Sequence, residues 1–336
     1  MQKFNQSTAA LDAGATVVAE GVDYDSGLWL AAVAIGGDSL LFRKRPETGS
    51  QQTISWFDGR GKRITDAGTP GTYRAVALAP NGRDVAVLCG DPNVNLCIVA
   101  SNGTVTNVVN TPTVGFPVWS LDSSSIAYGV HDSKGVQTVM KTLVSAGPPK
   151  MLIHAAGPLS FHPDGHRLLV YRGYDRQGHG SGLSVLDLRT GEETEYLPAV
   201  STLLSAQFSP DGRWVAYSSL ESGADAVYVT SFPRPSLKYR VSLAYGNSPH
   251  WRGDGRELYF LGGNSTITAV TVSGRSEELL FGTPRALFRA PIFPSPWDRS
   301  SWDVSRDGSR FVVNTVHASD SSLVVVTNWR QQVGIY

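Results

Sequence analysis

Phe208-Ser209-Pro210-Asp211-Gly212-Arg213-Trp214-Val215-Ala216-Tyr217 is the clearest copy of a phrase that returns seven times along this chain. Aligned on the glycine, the copies fall at Gly37, Gly82, Ser123, Gly165, Gly212, Gly255 and Gly308, which by subtraction lie 45, 41, 42, 47, 43 and 53 residues apart. Four positions before the glycine stands a large apolar residue: Val33, Leu78, Trp119, Phe161, Phe208, Trp251 and Val304. Three and five positions after it stand further apolar residues, as in Val85 and Val87 or Val215 and Tyr217. That step of two is strand periodicity. Pro-Asp-Gly and its relatives supply the turn between: Pro presets φ, Asp bonds the backbone ahead, and Gly accepts a positive φ. Each phrase therefore reads as a hairpin joining two strands, a and b.

Downstream of each hairpin lies a β-branched or aromatic run, such as Ala226 to Val229 or Leu183 to Leu186, and then a shorter one, such as Lys238 to Val241. These read as strands c and d, and no window shows helical spacing over three turns. A β-type repeat of 40 to 50 residues is the signature of a β-propeller with one four-stranded blade per repeat. The sequence thus predicts an all-β chain forming a single seven-bladed β-propeller of four-stranded antiparallel blades, six blades being the alternative. The blades run approximately over 29–68, 74–110, 115–154, 157–198, 203–243, 247–290 and 300–328. The seventh repeat lacks an outer strand, so Thr16 to Glu20, within an N-terminal segment 1–20, is expected to pair beside Leu323 to Asn328 and close the ring. Because residues 1–20 resemble strands c and d of a repeat, the chain reads as a piece of something longer.

Composition narrows the partners. Twenty-nine basic residues balance 29 acidic ones over 336 residues, which gives no global field to recruit nucleic acid or an anionic membrane. No apolar run reaches the length of a membrane helix, so no membrane insertion by this chain is expected. Cys89 and Cys97 are the two cysteines. A cross-strand disulfide between them is geometrically allowed, but the preferred reading is two small buried hydrophobes.

The phrases resemble TolB-like propeller repeats, a family named after a periplasmic translocation protein, and the resemblance covers nearly the whole chain. Ser55-Trp56-Phe57-Asp58-Gly59-Arg60-Gly61-Lys62, Trp251 to Tyr259 and Asp303 to Phe311 also resemble the C-terminal propeller of bacterial receptor-type serine/threonine kinases. That resemblance implies a sensor or interaction module on the extracytoplasmic side, periplasmic or at the cell surface. It supplies no catalytic residue to carry over. Any kinase domain would lie upstream.

Other constellations read as structure. Arg252-Gly253-Asp254 is the a–b turn rather than an adhesion tripeptide. Gly178 to Gly182 fails the spacing of a nucleophile elbow. Asp23 to Gly27 lacks the further ligands of a calcium loop. Acidic and His side chains do not recur at matching register, so no catalytic residue, metal or cofactor is predicted.

The function expected is a non-catalytic scaffold that binds a protein, peptide or small polar ligand at the channel mouth where d–a and b–c loops converge. By register that rim would include Tyr24, Tyr73, Arg74, Phe116, His131, Arg172, Tyr174, His250, Trp297 and Arg299. Trp297 and Arg299 stand in a proline-framed insertion that repeat packing does not require, and an exposed Trp beside an Arg suits a binding hot spot. The alternative is a metal-dependent hydrolase or lactonase acting in the central channel.

Overall fold

The computed structural model describes residues 4–5, 10–11, 24–25, 30–31, 33–43, 51–90, 94–109, 113–131, 137–144, 148–172, 182–198, 203–275, 278–292, 301–316 and 323–328. They fall into two compact units, 4–51 with 323–328, and 52–316. The fold is all-β and built of antiparallel sheets.

In the larger unit the phrase builds blades as its chemistry dictates. Blade A comprises Tyr73–Leu78, Val85–Cys89, Asn95–Val99 and Val105–Val109 as strands a to d. Blade B has Thr113–Trp119, Ser125–His131, Gln137–Leu143 and Lys150–His154. Blade C has Ala156–Phe161, Arg167–Arg172, Leu183–Asp187 and Glu193–Leu197. Blade D has Leu203–Phe208, Trp214–Ser219, Ala226–Ser231 and Lys238–Arg240. In blade E, Gly246–Trp251 and Glu257–Gly262 are followed by the long strand Thr266–Arg275, which carries both Glu278–Phe281 and Arg285–Arg289 on its outer side. Blade F joins Trp302–Val304 and Arg310–Val316 to Gln52–Asp58 and Arg63–Gly71.

Seven phrases thus give seven hairpins, each in a multi-stranded antiparallel sheet, consistent with a seven-bladed propeller; six of these sheets lie in the larger unit. The seventh hairpin, Val33–Gly36 with Ser39–Arg43, belongs to the smaller unit, where Leu323–Thr327 is its third strand. Two short pairs also belong to that unit: Phe4–Asn5 with Ala10–Leu11, and Tyr24–Asp25 with Leu30–Ala31.

The core follows the repeat register. In all six blades the residue four before the glycine and those three and five after it are buried, from Leu78, Val85 and Val87 to Val304, Phe311 and Val313. The turns are held by the phrase's own polar atoms. The Ser120, Ser209 and Ser305 hydroxyls each lie 2.6 Å from the carboxylate two residues on, Asp122, Asp211 and Asp307. Those carboxylates in turn accept the amides of Ser124, Arg213 and Ser309. Gly212 has φ +72°, and a Cβ there would run into the His162 ring of blade C. Gly165 has the same φ but faces open space.

The seam departs from the sequence expectation. Gln52–Asp58, expected in the same blade as Ser39–Arg43, instead pairs along seven residues with Arg310–Val316. Leu323–Thr327 pairs with Ser39–Arg43, and Thr16 to Glu20 lies outside the described residues. The physical reason is the fit. Ser55 and Thr315 share a 3.1 Å hydroxyl contact, Phe57 packs in one core with Phe311 and Trp302, and Ile54 and Trp56 pack in another with Val312. Blade F then fastens to blade A: Gln52 Oε1 accepts the Tyr73 amide at 2.7 Å, and Asn314 Nδ2 donates to the Tyr73 carbonyl at 2.9 Å.

Cys89 and Cys97 also differ from the preferred reading, because they form a disulfide with Cα atoms 6.0 Å apart. They lie diagonally across the b–c hairpin of blade A, Cys97 facing Val87 and Cys89 facing Asn95, a separation within the span a disulfide bridges.

Candidate functional site

The inner strands a of the six blades surround an axial cavity of about 460 Å³. Every blade contributes residues from one stretch of its phrase, between seven and two positions before the glycine. At the turn end Pro80, Leu121, Pro163, Pro210, Gly253 and Arg306 frame it.

One register position decides the chemistry of the wall. Five residues before the glycine stand Ala77, Val118, Ser160, Gln207, His250 and Asp303, in blades A to F, and all six line the cavity. Since strand side chains alternate, this position faces away from its buried neighbour at minus four. Three of the polar members also fasten one blade to the next. Ser160 Oγ accepts the Phe208 amide at 3.1 Å, Gln207 Oε1 accepts the Trp251 amide at 2.7 Å, and Asp303 Oδ2 accepts the Leu78 amide at 2.8 Å. Each acceptor thus takes the minus-four amide of the following blade. Blade A has no side-chain acceptor there, and the Trp119 indole donates to the Ala77 carbonyl instead, at 2.9 Å.

His250 and Asp303 face each other across neighbouring blades. His250 Nδ1 is 3.0 Å from Asp303 Oδ1, a close approach that is not aligned as a hydrogen bond, and the ring meets Trp302 edge-on at 4.6 Å. Asp303 Oδ1 accepts the Val304 amide at 2.7 Å, so both carboxylate oxygens hold backbone N–H groups. The wall is therefore polar over blades C to F and apolar over A and B. Among the described residues no three His, Cys, Asp or Glu side chains converge as a metal site.

The residues named from sequence scatter around this arrangement. Phe116 and His250 line the cavity. Tyr73 is not on a rim. It is buried in the core of blades F and A, its hydroxyl donating to the Thr69 carbonyl at 2.7 Å, because it begins the strand against which the seam closes. Arg172 is a brace between blades: Nε donates to Glu193 at 2.6 Å and Nη1 to the His154 carbonyl at 2.7 Å, and partial burial lowers its pKa. Arg74 is exposed on the inner strand of blade A. Tyr24 and His131 lie on strands, but their side chains fall outside the described residues, as do Tyr174, Trp297 and Arg299 altogether. Gln207, Asp303 and Ser160 were missed. Their residue types differ from copy to copy, so only the alternation from minus four marks them. His250 and Asp303 both stand at minus five, in neighbouring blades, while the other four blades carry neither an acidic residue nor a His there.

Solved structures share the architecture. A putative TolB from Agrobacterium tumefaciens superposes with a TM-score of 0.66 at 16% identity, over 80% of this chain and 99% of that one. The fold is that of the TolB-like β-propellers. Hydrazine synthase from Kuenenia stuttgartiensis gives a TM-score of 0.56 at 15% identity, over 87% of this chain and 92% of the other. An oligogalacturonate lyase in complex with manganese gives 0.52 at 16% identity, over 83% and 82%. No family model and no curated protein matches the sequence. Identities this low carry the fold and leave the function to the site.

Proposed function

We propose that this chain is a non-catalytic binding scaffold, the interaction or sensory part of a bacterial signalling protein, and that it holds a protein or peptide partner at the axial channel. The observation that supports this is the division of labour at minus five. The polar atoms of Ser160, Gln207 and Asp303 are engaged in fastening blades, which suits a rigid recognition surface more than a set of groups free to do chemistry. Six inner strands also bring six different side chains to one axis, which is how a repeat protein builds specificity without altering its blades. An extracytoplasmic location agrees with the Cys89–Cys97 disulfide, since such bonds persist in oxidising compartments.

Selection of peptides from a displayed library against the purified protein tests this reading. Peptides that bind the parent are expected to lose binding to Ala77→Trp, which fills the channel, and to retain it in a variant of an exposed outer-strand residue such as Met151→Ser. Binding unchanged in Ala77→Trp overturns the axial site.

The His250–Asp303 pair favours one second reading, a hydrolase acting in the channel through a metal. Stoichiometric bound metal together with hydrolytic turnover that His250→Ala abolishes would replace the scaffold reading.

A further inference from the structure

Two side chains at the minus-five position, which faces the channel, each keep one polar atom that blade fastening does not use. Asp303 fixes the first. His250 Nδ1 is enclosed 3.0 Å from Asp303 Oδ1, and that oxygen accepts the Val304 amide. A lone pair on Nδ1 would meet the carboxylate oxygen at repulsive range, so the proton of the neutral ring sits on Nδ1 and Nε2 is left as an acceptor. The edge-on contact with Trp302 holds the ring in this pose. Nε2 keeps access to the cavity that the residue lines, and no described residue bonds it.

Gln207, at the same depth on the neighbouring blade, is fixed the other way round. The Trp251 amide at 2.7 Å needs an acceptor, so Oε1 faces it and the Nε2 amino group is the outer end of the side chain. Blades D and E thus set a donor beside an acceptor, and both are neutral. The other polar side chains of the wall are spent. Ser160 Oγ accepts the Phe208 amide and donates to the Phe161 carbonyl at 3.3 Å, and both Asp303 oxygens hold backbone amides. Ser205 pairs with Ser218 at 2.8 Å, and Ser209 donates to Asp211. Arg306 is exposed at the turn end, where it lies over Gly253. Blades A and B give the wall Ala77 and Val118 at this depth, and a volume of about 460 Å³ is within the range of small-molecule sites.

A carboxylate here would set its charge against the His250 lone pair, and an ammonium would set its own against the Gln207 amino group. A carboxamide answers both, since it accepts at oxygen and donates at nitrogen without charge. We infer that the axial cavity recognises an uncharged carboxamide, its carbonyl accepting from Gln207 Nε2, its N–H donating to His250 Nε2, and its apolar body against Ala77 and Val118. The inference deepens the binding reading above and rests on it. A terminal or side-chain carboxamide and a backbone peptide group carry the same chemistry.

The test is calorimetric titration of the whole chain with 4-phenylbutanamide, its N,N-dimethyl analogue, 4-phenylbutanoate and 4-phenylbutanol, and with N-acetylleucine N-methylamide and its fully N-methylated form. At least one of the two N–H amides is expected to bind saturably at one site, about tenfold or more tighter than its methylated form, with the acid and the alcohol weaker than the primary amide. The amide that binds identifies the source. Gln207→Glu keeps an acceptor for the Trp251 amide and removes the free donor, and His250→Phe keeps a ring and removes the acceptor. Each is expected to weaken the amide about tenfold. Melting curves check that the variants are folded, and either one that is folded decides. No saturable binding of either amide, equal binding of the methylated forms, tighter binding of the acid or alcohol, or indifference to a folded variant overturns the inference. If library peptides still require an open channel in that event, the scaffold reading stands without it.

Discussion

Two halves of one ring occupy the same repeat position and differ in chemistry. In blades C, D and F, Ser160, Gln207 and Asp303 accept the amide of the next blade, whereas blades A and B carry Ala77 and Val118 and do without a side-chain acceptor. Both halves belong to one closed larger unit with equally buried minus-four residues, Leu78 and Trp119 no less than Phe208 and Trp251. A polar side chain at minus five is therefore not something the fold demands. Where it occurs it stabilises a seam and at the same time gives the channel a polar side, which is the asymmetry a ligand can read.

The largest effect is expected at the best-connected member. Asp303→Ala leaves the part-buried Leu78 amide without its acceptor and His250 without its neighbour, and should cost about 2–4 kcal/mol in denaturant unfolding. Val118→Ala at the same position of the apolar half should cost about 1 kcal/mol, through lost contact alone. Equal losses at the two sites would remove the distinction between halves.

A smaller contrast separates two turns. Gly212→Ala and Gly165→Ala impose the same backbone strain at φ +72°, about 1 kcal/mol. Only at 212 does the new Cβ meet the His162 ring, whose Nε2 bonds the Gly212 carbonyl at 3.1 Å. Thermal melts should therefore place Gly212→Ala below Gly165→Ala, and coincident melting would mean that the neighbouring blade does not matter there.

Acid provides the mildest probe. Hydrogen bonds from the Ser120 hydroxyl and the Ser124 amide and hydroxyl hold Asp122 at about 2, and Ser305 and Ser309 hold Asp307 at about 2, against an ordinary 3.8. A depressed folded-state value means the contribution is full above about 3.8 and lost as pH falls through about 2. In blade A, Asn81 plays the same part with an amide oxygen, accepting the Arg83 amide at 2.8 Å without titrating. Asp122→Asn with Asp307→Asn should therefore flatten the loss of stability between pH 4 and 2, and an unchanged acid profile would contradict this account of the turns.

How much of this was legible follows from what repeats. The Pro-Asp-Gly turn and the apolar positions recur as residue types, so blade architecture and core could be read from one copy. Minus five recurs only as a position, and its varied side chains look like noise until the ring is closed. The seam was illegible for another reason. Gln52–Asp58 and Leu323–Thr327 are both apolar β runs able to pair with Arg310–Val316, and chain order favours the second while packing of Phe57 and Ser55 selects the first. For Cys89 and Cys97 the sequence defined the hairpin but not the choice between thiols and a bond.

Hydrogen–deuterium exchange with and without a library-selected peptide tests the axial site most directly. The account predicts slowed exchange in the inner strands at 116–121, 205–210, 248–253 and 303–306, stretches that each contribute residues to the cavity lining. Protection confined to outer strands such as Glu193–Leu197 and Lys238–Arg240, with the inner strands unchanged, would contradict it.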